Sequence, residues 1–190
     1  TRASNVVAIA AGVAHSMALR ADGTVVCWGN NALGQAPTYA PVSNVVGIAA
    51  GVVHSLALKA DGTVAAWGDN SQGQLAIPID ATNVVAIAAG PGPTSYHSLA
   101  LRADGTVIAW GMNSLGQTDV PAQVLDLAAW GEYAPGQWNV SSNASPIIAV
   151  TAGSAHTLAL TAAGSVAAWG LDTWGQAHVP PSAEQGVQAV

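Results

Sequence analysis

The 190-residue sequence predicts an all-β fold built from repeats, and three observations carry that prediction. An eight-residue stretch, Trp-Gly, four variable residues, Gly-Gln, recurs at 28–35, 67–74, 110–117, 130–137 and 169–176. Apolar runs of strand length, closed by glycine, precede it at fixed offsets, and Asp-Gly stands before Thr-Val at 22–25, 61–64 and 104–107. A period of this size marks units that bury their apolar faces only against their neighbours. Residues 1–190 therefore read as a single repeat domain.

The first unit, 5–35, reads as three short strands. Val6 to Ala11 is almost wholly apolar and bounded by Gly12, as a strand covered on both faces would be. His15 to Arg20 follows, and Asp22-Gly23 before Thr24-Val25-Val26 turns the chain back into an antiparallel third strand. The second unit, 44–74, repeats this after 39 residues, with Gly51, His54, Asp61-Gly62 and Trp67 in register. In the third, 83–117, the loop between Gly90 and His97 is four residues longer and carries Tyr96. Insertions fall where backbone is exposed, so this loop is a candidate contact site.

After Gln117 the period breaks, because Trp110 and Trp130 are only 20 residues apart. The spacing favours a degenerate half unit at 124–137 that keeps the third strand and its loop; the rival alignment makes Val124 to Ala129 a first strand. The last full unit, 147–176, has Ala163-Gly164 in place of Asp-Gly. Residues 177–190 end in Gly-Val-Gln-Ala-Val, which reads as the start of a next repeat, and the opening residues 1–5 look like the middle of a longer protein.

Composition narrows the partners. The formal charge is −6 with four cations, Arg2, Arg20, Lys59 and Arg102, so no basic patch can form and a nucleic-acid partner is not expected. Every apolar stretch is interrupted well short of a membrane span, so no membrane insertion is expected. Cys27 stands where other units have alanine, and reads as a small buried side chain.

Val-Val-Ala-Ile-Ala-Ala-Gly, His-Ser-Leu-Ala-Leu, Ala-Asp-Gly-Thr-Val and Trp-Gly-x-Asn-x-x-Gly-Gln together resemble the repeat of the regulator of chromosome condensation family. The resemblance implies a β-propeller, here with four full repeats plus a half repeat, either incomplete or closed by a second chain as a homodimer. The short period and spacers such as Gly-Gln-Thr-Asp-Val-Pro look more like bacterial members, which include secreted β-lactamase inhibitory proteins that bind through loops at one end of the propeller. An extracellular or cell-surface location is favoured by that resemblance alone. Eukaryotic members act as guanine-nucleotide exchange factors and dock on chromatin. Neither activity is carried over, because the basic surface and a wedge-like insertion are missing from this sequence.

The recurring His15, His54, His97 and His156 could form a metal-binding ring, but each opens a strand of small and apolar residues. The better reading is a buried imidazole that satisfies backbone groups in each unit. Trp28, Trp67, Trp110, Trp130 and Trp169 read as packing anchors between units. Asp22, Asp61 and Asp104 read as turn formers. No catalytic residue, metal site or cofactor is expected, and the chain reads as a non-enzyme.

The aromatic residues that break the repeat remain: Tyr39, Tyr96, Tyr133, Trp138 and Trp174. If strands alternate up and down, Tyr96, Tyr133, Trp138 and Trp174, with the acidic Asp69, Glu132 and Asp172, share the end opposite the Asp-Gly turns. The expectation is a protein-binding face, with an inhibitor as its sharpest form. The alternative has Trp138 and Trp174 folding back over the half repeat, and the chain serving as a structural or assembly segment. Tyr39 lies in a spacer between units.

Overall fold

The computed structural model describes residues 4–37, 42–92, 96–120, 146–180 and 186–189. The half unit at 124–137, with Trp130, and the spacer residue Tyr39 lie outside them. The described residues form four antiparallel three-stranded sheets and no helix, so none is long and apolar enough to cross a membrane.

The first sheet is β1 (Val6–Ala11), β2 (His15–Arg20) and β3 (Val25–Gly29); the second is β4 (Val45–Ala50), β5 (His54–Lys59) and β6 (Val64–Gly68). The third is β7 (Val84–Ala89), β8 (His97–Arg102) and β9 (Val107–Gly111); the fourth is β10 (Ile147–Ala152), β11 (His156–Thr161) and β12 (Val166–Gly170). In every sheet the second strand lies in the middle, and its histidine pairs with the glycine that closes the third strand.

Local chemistry sets the turns. Asp22 Oδ1 accepts from the Thr24 amide at 3.0 Å and from its hydroxyl at 2.6 Å, which folds the β2–β3 connection. Asp61 repeats both bonds with Thr63. At the other end Gly29 has φ 102°, and a Cβ there would fall 2.6 Å from the Ala14 carbonyl oxygen. That conformation and that approach require glycine.

The sheets stack as blades in chain order. Met17, Leu19, Val25 and Cys27 of the first blade pack with Val45, Ala50, Ala57 and Trp67 of the second. Leu56 and Leu58 meet Val84, Ala100 and Trp110, and Leu101 and Val107 meet Ile147, Ala159 and Trp169. The fourth blade packs directly on the third even though residues 121–145 separate them in the chain. Cys27 is buried, and burial pushes its thiol up to about 11.

Hydrogen bonds tie each seam. Ser55 Oγ donates to the Gln35 main-chain oxygen at 2.9 Å, and Trp67 Nε1 donates to the same oxygen at 3.2 Å. The Ser55 hydroxyl proton is thereby committed, so the 2.9 Å contact between Ser55 Oγ and His15 Nε2 has the imidazole N–H as donor. Ser98, Gln74, Trp110 and His54 repeat the arrangement between the second and third blades, at 3.0, 2.9 and 3.1 Å. The two histidines thus serve a side-chain hydroxyl of the next blade, where the sequence suggested backbone groups. Glycine precedes them because a Cβ on Gly12 or Gly51 would strike the ring of His15 or His54.

Trp28 departs from the expected core position. It is 50% exposed, against 7% for Trp67, because no blade covers the outer face of the first sheet among the described residues. The blades accordingly form an open arc.

Candidate protein-binding end face

The four loops that follow β3, β6, β9 and β12 share one end of the arc with the β1–β2 type connections. The bonds Asn30 N to Ala14 O at 2.8 Å, Asp69 N to Val53 O at 3.0 Å, Met112 N to Tyr96 O at 2.8 Å and Leu171 N to Ala155 O at 2.8 Å join them. The Asp-Gly turns occupy the opposite end, as strand alternation requires.

Each loop is held by its own side chains. The glutamine Oε1 accepts from the amide two residues earlier in all four loops: Leu33 to Gln35 and Gln72 to Gln74 at 2.9 Å, Leu115 to Gln117 at 2.9 Å, and Trp174 to Gln176 at 2.8 Å. A second brace joins the fourth loop position to the residue after the glutamine. Asn31, Asn70 and Asn113 accept from the amides of Ala36, Leu75 and Thr118 at 2.8 to 2.9 Å. Asp172 takes the same place, its Oδ1 accepting from Ala177 N at 2.8 Å. One Asp172 oxygen is therefore engaged in holding the loop, which the asparagine column in the other units foreshadows. Asp69 is also engaged, accepting from Gln74 Nε2 at 2.8 Å.

The sixth loop position presents Leu33, Gln72, Leu115 and Trp174, and Trp174 is 88% exposed. Tyr96 is half-buried beside the third loop. Leu33 and Leu115 were not singled out from sequence, and the signal was available: the sixth position, just before the fixed Gly-Gln, carries the large side chains that change from unit to unit. Tyr133, Trp138 and Glu132 lie outside the described residues, so Tyr96, Trp174, Asp69 and Asp172 are the members of the expected face that the structure positions.

The opposite end carries two ion pairs. Lys59 pairs with Asp61 at 3.1 Å and Arg102 with Asp104 at 3.1 Å. Thr63, through its hydroxyl and amide, and Lys59 hold the Asp61 carboxyl down at about 2. Among the described residues no three His, Cys, Asp or Glu side chains gather as a metal ion would need. His54 and His97 are buried and held neutral, desolvation lowering each to about 4, with His97 and His156 respectively adding like-charge repulsion.

Antiparallel three-stranded blades stacked around interblade glutamine joints, with braced loops at one end, define a propeller of the protein-binding kind. The chain belongs to the regulator of chromosome condensation (RCC1) repeat family, whose sequence model matches residues 6–35, 45–74, 84–117 and 147–176. Yeast RCC1 (Prp20), solved bound to Kap60, is 24% identical with a TM-score of 0.70, over 97% of this chain and 48% of that one. Prp20p of Saccharomyces cerevisiae, studied for its binding to Gsp1p and histones, is 25% identical with a TM-score of 0.67, over 93% and 46%. Human WBSCR16 is 24% identical with a TM-score of 0.68, over 98% and 54%. The chain thus spans about half the length of these solved relatives. No curated protein matched it.

Proposed function

We propose that the chain is a non-catalytic protein-binding module whose contact surface is the loop end carrying Tyr96, Trp174 and Asp172, extended by Tyr133, Trp138 and Glu132. The observation that carries this reading is Trp174, an almost fully exposed indole on a loop that hydrogen bonds from its own amides hold in place. An aromatic side chain on a fixed frame loses little entropy when a partner covers it, and such residues are worth about 2 kcal/mol or more in an interface. The Kap60, Gsp1p and histone contacts of the yeast relatives support a protein as the class of partner. Inhibition of an enzyme by occlusion is the sharpest form of the same proposal, and it needs no catalytic group on this chain.

The test compares affinity capture by the wild-type chain with capture by a Tyr96→Ala, Trp174→Ala double variant of unchanged thermal stability. A protein retained by the first and lost by the second supports the loop end as the binding face. Equal retention by both sinks it.

Assembly with another chain is a second reading, favoured by a different observation. The outer face of the first blade, with Ile9 and Trp28, is apolar and uncovered among the described residues. A homodimer closing the propeller would cover it.

A further inference from the structure

The uncovered face of the first blade has a definite counterpart in the same chain. In the second blade Val45, Val52, Ser55 and Trp67 are buried, and Val45, Ser55 and Trp67 pack or bond against the first. Their repeat equivalents Val6, Val13, Ser16 and Trp28 meet nothing comparable among the described residues: Val13 is 62% exposed where Val52 is 9%, and Ile9 is 79% exposed. An apolar patch of this kind, with an indole N–H at its centre, marks an interaction surface. The donors are also specified. Ser55 Oγ and Trp67 Nε1 both give to the main-chain oxygen of Gln35, and Ser55 receives from His15. Ser16 and Trp28 offer the same two donors to a partner that presents a glutamine carbonyl beside an imidazole.

The fourth blade presents both. Gln176 and His156 stand in the places of Gln35 and His15, and Leu158, Leu160, Val166 and Ala168 supply the apolar floor that Met17, Leu19, Val25 and Cys27 supply in the first blade. We infer that the first blade of one copy docks on the fourth blade of a second copy, head to tail. Trp28 Nε1 and Ser16 Oγ would then donate to the partner's Gln176 main-chain oxygen. This deepens the assembly reading and rests on it. Two copies joined this way have two equivalent seams, the closed arrangement that twofold symmetry allows.

One segment stands in the way and makes the inference testable. Val187 N donates to Gly164 O at 3.0 Å, as Val45 N does to Gly23 O at 3.1 Å and Val84 N to Gly62 O at 2.9 Å. Gly186, at φ 76°, takes the left-handed position held by Asn5, Asn44 and Asn83 at 53 to 57°. The tail therefore sits in the seat that the partner's Asn5 and Val6 would take. Docking exchanges a short tail with one such bond for a whole blade face.

The experiment is sedimentation velocity over a concentration series on the wild-type chain, an Ile9→Asp, Trp28→Asp variant, and a chain ending at residue 180. The expected result is a dimer that the first variant loses and the shortened chain forms several-fold more tightly. Ile9 and Trp28 are already exposed, so circular dichroism should show the double variant folded. A dimer that survives Ile9→Asp, Trp28→Asp, or that shortening does not tighten, overturns the head-to-tail seam and leaves assembly through another surface standing. A monomer in all three preparations overturns both.

Discussion

The seam between the second and third blades and the seam between the third and fourth use the same apolar packing and different polar chemistry. At the former, Ser98 links His54 to the Gln74 carbonyl, and Trp110 Nε1 shares that oxygen at 2.9 Å. At the latter, threonine replaces serine. Thr157 Oγ1 reaches the Gln117 carbonyl at 3.3 Å, both ring nitrogens of His97 lack a partner, and so does Trp169 Nε1. Trp169 is nonetheless buried in the core it shares with Leu101, Val107 and Ile147. Apolar area is therefore enough to stack a blade. The serine network adds alignment and the modest net stability of satisfied buried hydrogen bonds. The loosened seam is also the one whose blades are separated by residues 121–145, so polar regularity and regular spacing fail at the same place.

The largest expected contrast isolates the apolar part. Trp67→Ala should cost about 3–5 kcal/mol in chemical unfolding, as removal of a buried indole does. Trp28→Ala, on the uncovered face, should cost less than about 1 kcal/mol in the monomer. Equal losses would mean that the first blade is covered in solution.

Acidity tests the buried imidazoles next. His54 and His97 are near 4 when folded and regain the ordinary 6.5 when unfolded. Above 6.5 both states are neutral and stability is at its full value; as pH falls from 6.5 towards 4 the unfolded chain takes up protons first, and stability declines. The loss for His54 is on the order of 3 kcal/mol. Asp22, Asp61 and Asp104, all lowered by bonds to the neighbouring threonine, act only below 3.8, so the windows separate. A melting temperature flat between pH 7 and 4 would show that the rings are hydrated rather than sealed.

The smallest effect sharpens the comparison directly. Ser98→Ala should destabilise by about 1–2 kcal/mol by stranding His54, whereas Thr157→Ser should stabilise by about 0.5–1.5 kcal/mol by giving His97 a partner. A Thr157→Ser protein no more stable than wild type would show that the two seams differ in blade spacing and not in one side chain.

The strands and their turns were legible because their causes are local: alternation, a closing glycine, an Asp-Gly pair. The blade seams were only half legible. His15 and Ser55 are 40 residues apart, and nothing within either unit says that one imidazole serves the hydroxyl of the next. Trp28 illustrates the opposite limit, since a residue in perfect repeat register is core only if a neighbour exists to cover it. Trp174 was legible because it breaks the pattern, while Asp172 looked like a contact charge although the asparagines in its column already assign one oxygen to the loop.

In each of the four described Trp-Gly-x-x-x-x-Gly-Gln loops the sixth residue is secured through its backbone amide to the glutamine oxygen, a bond that asks nothing of its side chain. Folding therefore leaves that side chain unselected. Leucine, glutamine and tryptophan occupy it in successive blades without disturbing the frame, and the row behaves as a set of interchangeable type in a fixed forme. What is printed there can be rewritten, blade by blade, without resetting the page.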